Sequence, residues 1–183
     1  MRILITGAAG FIGYHLAVSL NQSGHGLVLV DNLQRGRMDS EFKELINRPN
    51  VTYHEADLTE SGVYESVGDG VEQLYHLAAI NGTENFYNIP DQVLRVNVLS
   101  TLNLLEWARD RSVKILFSST SETYAGTIRL MDGLIPTAED VPLCIDDIQN
   151  VRWSYGASKI LAEAAFYSYA RVSPIQFSIV RYH

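Results

Sequence analysis

Thr6-Gly7-Ala8-Ala9-Gly10-Phe11-Ile12-Gly13 closes the first β-rich run of the chain and opens its first helix-period segment. The pattern is T-G-x-x-G-x-x-G. Glycine permits a tight turn, a close backbone approach to a pyrophosphate and close packing of helix on strand. A phosphate held there meets the unpaired N–H groups and the positive dipole end of the helix. Gly7, Gly10 and Gly13 therefore read as a phosphate-binding turn. Position carries the reading, because glycines at this spacing elsewhere mark only a turn.

Working outward, β-rich runs alternate with helical patterns. The runs are Arg2–Thr6, Gly26–Val30, Val51–His54, Glu72–His76, Val113–Ser118 and Ile175–Arg181; the helical patterns are Phe11–Ser23, Met38–Asn47, Glu60–Val67, Asp91–Asp110 and Trp153–Arg171. Such alternation predicts βαβ units, hence an α/β fold with a doubly wound parallel sheet covered by helices on both faces. Residues 1–183 form one domain in this reading. Ala125–Arg152 has no clear period and reads as a loop at the ligand-binding end, where it is expected to carry function.

Composition narrows the possibilities. Of 183 residues, 46% are apolar and 19% charged, a globular balance. Fourteen basic against 21 acidic residues give a net charge of −7, which opposes nonspecific nucleic-acid binding. Cys144 is the sole cysteine, so no disulfide forms within the chain and a reducing, cytoplasmic setting is expected. Between Arg2 and Asp31 no Asp, Glu, Lys or Arg occurs, which mimics a signal peptide or membrane span. Gly7, Gly10, Gly13 and the polar stretch 21–26 interrupt it, and a buried strand followed by a core helix gives the same profile. No membrane association is expected.

Asp31 ends the second β-run, 18 residues beyond Gly13. An acid there accepts hydrogen bonds from adenosine ribose hydroxyls and repels a 2′-phosphate, which favours NAD over NADP. Arg35 and Arg37 complicate the choice, since either is able to neutralise such a phosphate. Asp57-Leu58 and His76-Leu77-Ala78-Ala79 end the third and fourth runs, and small residues after a strand let backbone lie against a ligand. His76 itself reads as a core histidine. Tyr155 and Lys159 are four apart and share one face of a predicted helix. A Lys cation about 6 Å from a phenol, at an effective dielectric of about 20, contributes about 2.8 kcal/mol, or roughly 2 pKa units downward. Tyr155 is then expected to deprotonate a sugar hydroxyl, with Thr120 of the hydroxyl-rich run 118–121 bonded to the same oxygen.

Jointly, TGAAGFIG, Asp31-Asn32-Leu33, Asp57-Leu58, HLAA, Asn97, SSTSETY and Tyr155/Lys159 resemble the extended short-chain dehydrogenase/reductases, the NAD-dependent nucleotide-sugar epimerase/dehydratase group. The resemblance covers Arg2 to His183. It implies a Rossmann-type sheet and C4 oxidation of a nucleotide-sugar to a keto-sugar by a Thr120/Tyr155/Lys159 triad, Lys159 also holding the nicotinamide ribose. It places Gly7, Gly10, Phe11, Ile12, Gly13, Asp31, Asn32, Asp57, Leu58, Leu77, Ala78, Ala79, Asn97, Ser118, Tyr155 and Lys159 against NAD, with no metal. Glu122 follows the triad Thr as in dehydratases and decarboxylases, and Arg152-Trp153-Ser154-Tyr155 looks like UDP-glucuronic acid decarboxylases; a capping or surface carboxylate remains open for Glu122. Family members carry a small C-terminal substrate lobe, so the chain reads as a fragment, inactive alone. A noncatalytic NAD-binding module is the rival reading. Helices 91–110 and 153–171 are apolar on more than one face, which suggests a homodimer through them, burial by a further part of the chain being the alternative.

Overall fold

The computed structural model describes residues 1–131 and 134–183. Strands β1 (Arg2–Thr6), β2 (Gly26–Asp31), β3 (Val51–Glu55), β4 (Gln73–His76), β5 (Lys114–Thr120) and β6 (Gln176–Tyr182) form one parallel sheet in the order β3-β2-β1-β4-β5-β6. Helices α1 (Phe11–Gln22), α2 (Ser40–Ile46), α3 (Thr83–Asn88), α4 (Pro90–Ala108), α5 (Ala125–Leu130) and α6 (Ser154–Ala170) complete it. This is the doubly wound, Rossmann-like arrangement. Strand order reverses between β1 and β4, and a ligand crevice opens there beyond the carboxyl ends.

Alternation along each strand sorts the core into two layers. Ile3, Ile5, Leu27 and Leu29 pack with Ala17 of α1 and with Phe42 and Leu45 of α2. Leu4, Val28, Val30, Leu74, Ile115 and Phe117 face the other way, onto Leu104, Leu105 and Ala108 of α4 and Ala162 and Phe166 of α6. The double apolar face of α4 and α6 thus has a source within the chain: each covers the sheet and packs on the other. Leu94, Leu161 and Tyr167 stay exposed on them.

Three segments differ from expectation. Glu60–Val67 is not an α-helix but ends in a 3-10 turn, Val63–Val67, bracketed by Gly62 and Gly68 at φ near +75°. Left-handed glycines at both ends halt propagation. Helix α3 lies where no helix was expected, and α5 lies inside the supposed loop 125–152. The Gly126 N–H bonds to Cys144 O, so this segment folds back on itself.

The turn between β1 and α1 is sterically determined. Gly7 sits at φ +71°, and a Cβ there would lie 2.8 Å from Ala78 N; one on Gly13 would lie 2.2 Å from Gly7 O. Neither neighbour is a movable side chain. Gly13→Ala is expected to cost more than about 2 kcal/mol, lowering Tm by about 4–8 °C in a thermal melt. A change below 1 °C would contradict the close-packing argument.

Candidate functional site

A cleft of about 730 Å³ runs along the carboxyl edge of the sheet. Gly7, Gly10, Phe11, Ile12, Gly13, Asp31, Asn32, Asp57, Leu58, Leu77, Ala78, Ala79 and Ser118 line it, together with Thr120, Glu122 and Tyr155. Sixteen of the eighteen sequence-expected residues therefore meet in one place. Asn97 and Lys159 do not line the cleft, and both lie behind its wall. Of segment 125–152, no described residue lines it, contrary to the expectation of a functional loop.

The fit to a dinucleotide rests on the turn. Gly10 caps α1 without a side-chain hydrogen bond, and no acid stands in the first helical turn. The first N–H groups are thus left for an anion in the cleft. Asp31, 9% exposed at the end of β2, accepts from Ala9 N (3.0 Å, Oδ2) and Leu33 N (2.8 Å, Oδ1). It fixes the turn as well as facing the cleft, a second role the sequence did not disclose. A carboxylate has about four acceptor positions, so two remain for ribose hydroxyls. Arg35 does not stand beside Asp31. Its guanidinium bonds across the cleft to the carbonyl (2.7 Å) and the side-chain oxygen of Asn81.

Behind the wall runs a polar relay. Ala78 N donates to Thr6 Oγ1 (3.3 Å), which meets His76 Nδ1 at 2.8 Å. Thr101 Oγ1 donates to Asn97 O (2.9 Å) and meets His76 Nε2 at 3.3 Å. Because the Thr101 proton is committed, the bonds assign His76 as the Nε2–H tautomer, with Thr6 donating to Nδ1. Burial, helped by the Lys159 charge, pushes this imidazole down to about 3. His76 is a neutral core residue. The Asn97 side chain then holds both Ile80 N (2.8 Å) and Ile80 O (3.0 Å), and reaches Ser158 Oγ on α6 (3.3 Å). Asn97 acts on the cleft by fixing the backbone at Ile80.

At the other end, Tyr155 stacks on Phe86, centroids 5.2 Å apart and 13° from parallel. Thr120 ends β5 and accepts from Glu122 N at 3.3 Å. Lys159, 2% exposed, donates from Nζ to Ser118 O at 2.7 Å and lies 4.6 Å from the Phe117 centroid and 5.6 Å from that of Tyr155. One turn further, buried Glu163 accepts from Ser119 Oγ and from Arg181 Nη2 (2.8 Å) and Nε (3.1 Å). Glu163 stands four beyond Lys159 in an otherwise apolar stretch, a trace the sequence offered; Arg181 had none. Glu122 is neither a cap nor an isolated carboxylate. Arg152 holds both its oxygens (3.0 and 2.8 Å) while lying over the Phe86 ring.

The electrostatics reverse the sequence expectation. Burial pushes the Tyr155 phenol up to about 12, Glu122 adding to the rise and Arg35 opposing it. Burial also pulls the Lys159 ammonium down to about 7, against the attraction of Glu163. The expected 2-unit fall counted only the attraction between the pair and left out the burial of either group. Here desolvation of both groups exceeds their coupling.

A family model described as NAD dependent epimerase/dehydratase family matches residues 3–183. The chain belongs to that family. Among curated relatives, UDP-N-acetyl-alpha-D-glucosaminuronate decarboxylase of Bacillus cytotoxicus is 33% identical over 181 residues, covering 99% of this chain and 53% of that protein. UDP-glucuronic acid decarboxylase 6 of Arabidopsis thaliana is 36% identical over 183 residues, covering 99% and 50%. A crystal structure of UDP-glucose 4-epimerase from Thermotoga maritima with UDP-glucose superposes with TM-score 0.82 at 30% identity, covering all of this chain and 55% of that one. The chain spans about half the length of the curated relatives it matches. Among the described residues, no helix is long and apolar enough to cross a membrane.

Two titrations test the buried groups. Only three lysines occur, so ¹³C-labelled Lys159 is resolvable from Lys43 and Lys114. It is expected to titrate near 7 without added NAD, and a value above 10 would contradict the burial argument. His76, depressed below the unfolded value, contributes stability that is complete above pH 6.5 and is lost as pH falls toward 3. Chemical denaturation of His76→Gln should show a flatter stability profile across that window, and ¹⁵N spectra should report a neutral Nε2–H ring at pH 5.

Proposed function

We propose that the protein is an NAD-dependent nucleotide-sugar enzyme that begins by oxidising the sugar C4 hydroxyl to a ketone. The observation that carries this is the meeting of Tyr155, Thr120 and Glu122 with the glycine turn and Asp31 in a single cleft. Bound NAD supplies the hydride acceptor. Backbone at Gly7, Gly10, Phe11, Ile12 and Gly13 holds its pyrophosphate, and Asp31 with Asn32 takes the adenosine ribose. Asp57, Leu58, Leu77, Ala78, Ala79 and Ser118 form the remaining cofactor walls. The positive charge that bound NAD would add beside Lys159 lowers the raised Tyr155 phenol, whose phenolate accepts the C4 hydroxyl proton while the Thr120 hydroxyl bonds the same oxygen. Lys159, anchored on Ser118 O, presents its charge beneath the Tyr155 ring; because it lies behind the cleft wall, contact with the nicotinamide ribose requires its ammonium to swing out from Ser118 O.

A UDP-hexuronate decarboxylase is the second reading, favoured by the two decarboxylase relatives and by Glu122 beside Tyr155. Both Glu122 oxygens are engaged by Arg152, so action as a base at C5, which water elimination needs and loss of carbon dioxide from the C4 ketone does not, requires that pair to open. Incubating the whole protein with NAD and a panel of nucleotide-sugars, followed by mass spectrometry, separates the outcomes. Loss of water marks a dehydratase, loss of carbon dioxide a decarboxylase, and isomerisation without mass change an epimerase. NAD binding without turnover of any sugar would favour a noncatalytic module. The proposal includes a cytoplasmic homodimer paired through the exposed apolar side chains of α4 and α6; sedimentation as a monomer at micromolar concentration would remove the dimer.

Tyr155→Phe is expected to keep NAD affinity and slow single-turnover NADH formation by at least about 10²-fold. An unchanged rate would assign the base elsewhere. NAD should bind at least about tenfold tighter than NADP by calorimetry, because Asp31 faces the ribose and Arg35 is drawn away to Asn81.

A further inference from the structure

We propose that Arg35 is the cation that receives the diphosphate group of a nucleotide ligand, which displaces it from Asn81. The inference rests on the nucleotide-binding reading above and names a residue that reading leaves unused. The charges in the cleft are lopsided. Asp31, Asp57 and Glu122 line it, and among its described lining residues Arg35 is the one fixed cation. A diphosphate brings two more negative charges into that space, and a helix N-terminus with glycine backbone supplies only partial ones.

The placement fits. Arg35 follows β2 and Asn81 follows β4, with β1 between those strands, so the bond spans the carboxyl end of β1 where Gly10 starts α1. Both bonds leave from Nη1. Among the described residues the Nη2 and Nε hydrogens have no partner, and a guanidinium offers them in the planar geometry that suits two phosphate oxygens. Arg35 is exposed, so moving it disturbs no packing. Arg35 and Asn81 line the same cleft as the glycine turn and Tyr155.

Two diphosphates meet this description: that of the dinucleotide and that of a nucleotide-sugar. Calorimetry on the whole protein distinguishes them, with NAD titrated first and uridine diphosphate then titrated into NAD-saturated protein. Arg35→Gln is expected to weaken one of the two by at least about tenfold, and Arg35→Lys, which keeps the charge without the planar fork, to lose less than Arg35→Gln. A loss for NAD names the cofactor as the source; a loss confined to uridine diphosphate names the substrate. Asn81→Ala removes the side-chain half of the tether, the carbonyl bond remaining, and leaves the cation; it should bind as tightly as wild type or tighter. Affinities within twofold of wild type in Arg35→Gln overturn the proposal and leave the NAD reading standing. So does a tenfold loss in Asn81→Ala, which would make the Arg35–Asn81 bond structural. A wild-type protein that binds neither ligand sinks both readings.

Discussion

Backbone meets backbone where Gly7 lies against Ala78. A Cβ there would stand 2.8 Å from an amide nitrogen that belongs to another strand's end. That approach brings the β1 turn and the segment after β4 together, and the mouth of the cleft is the gap between them. Gly7 N also bonds Val30 O of β2, so three strand ends are gathered at one residue. The glycine-turn end of the cleft takes its position from this contact. Asp31 adds a second fastening by binding Ala9 N, and the Thr6–His76–Thr101–Asn97 relay holds Ala78 and Ile80 from behind.

Locally encoded features were legible in the chain. The glycine spacing confines its meaning to eight residues, and Tyr155 with Lys159 needs only the helical period to share a face. Features that depend on residues far apart were not. Nothing in the neighbourhood of Asp31 tells that Ala9 N, 22 positions earlier, will be its partner. The same holds for Arg152 with Glu122, 30 apart, and for Arg35 with Asn81, 46 apart. Helix extent failed where glycine conformation decides it, as at Gly62 and Gly68, because the apolar pattern alone continues through.

Charge was the hardest property to anticipate, since it depends on burial, which has no sequence mark of its own. Lys159 is nearly sealed behind Ser118 and Phe117, and its ammonium is held against desolvation by a carbonyl and by Glu163 one helical turn away. Glu163 is in turn fastened by Arg181 from β6. A line of alternating charges thus passes from behind the cleft wall, along α6, to the edge strand β6. Removing one partner from such a line leaves an uncompensated buried charge, which costs more than the pair contributes.

The relay through His76 has only one consistent direction for its protons. Thr101 gives its hydrogen to Asn97 O, so it must take one from His76, which must then take one from Thr6. Reversing any single bond strands a donor in the interior at another point. Exchange of Thr101 for serine keeps the direction, whereas valine of similar shape leaves the Nε2–H without an acceptor. The damage would surface at Ala78, against the glycine turn. In a mutational screen scored by nucleotide binding, position 101 would therefore group with the turn glycines, although its side chain lies inside a helix and touches no ligand.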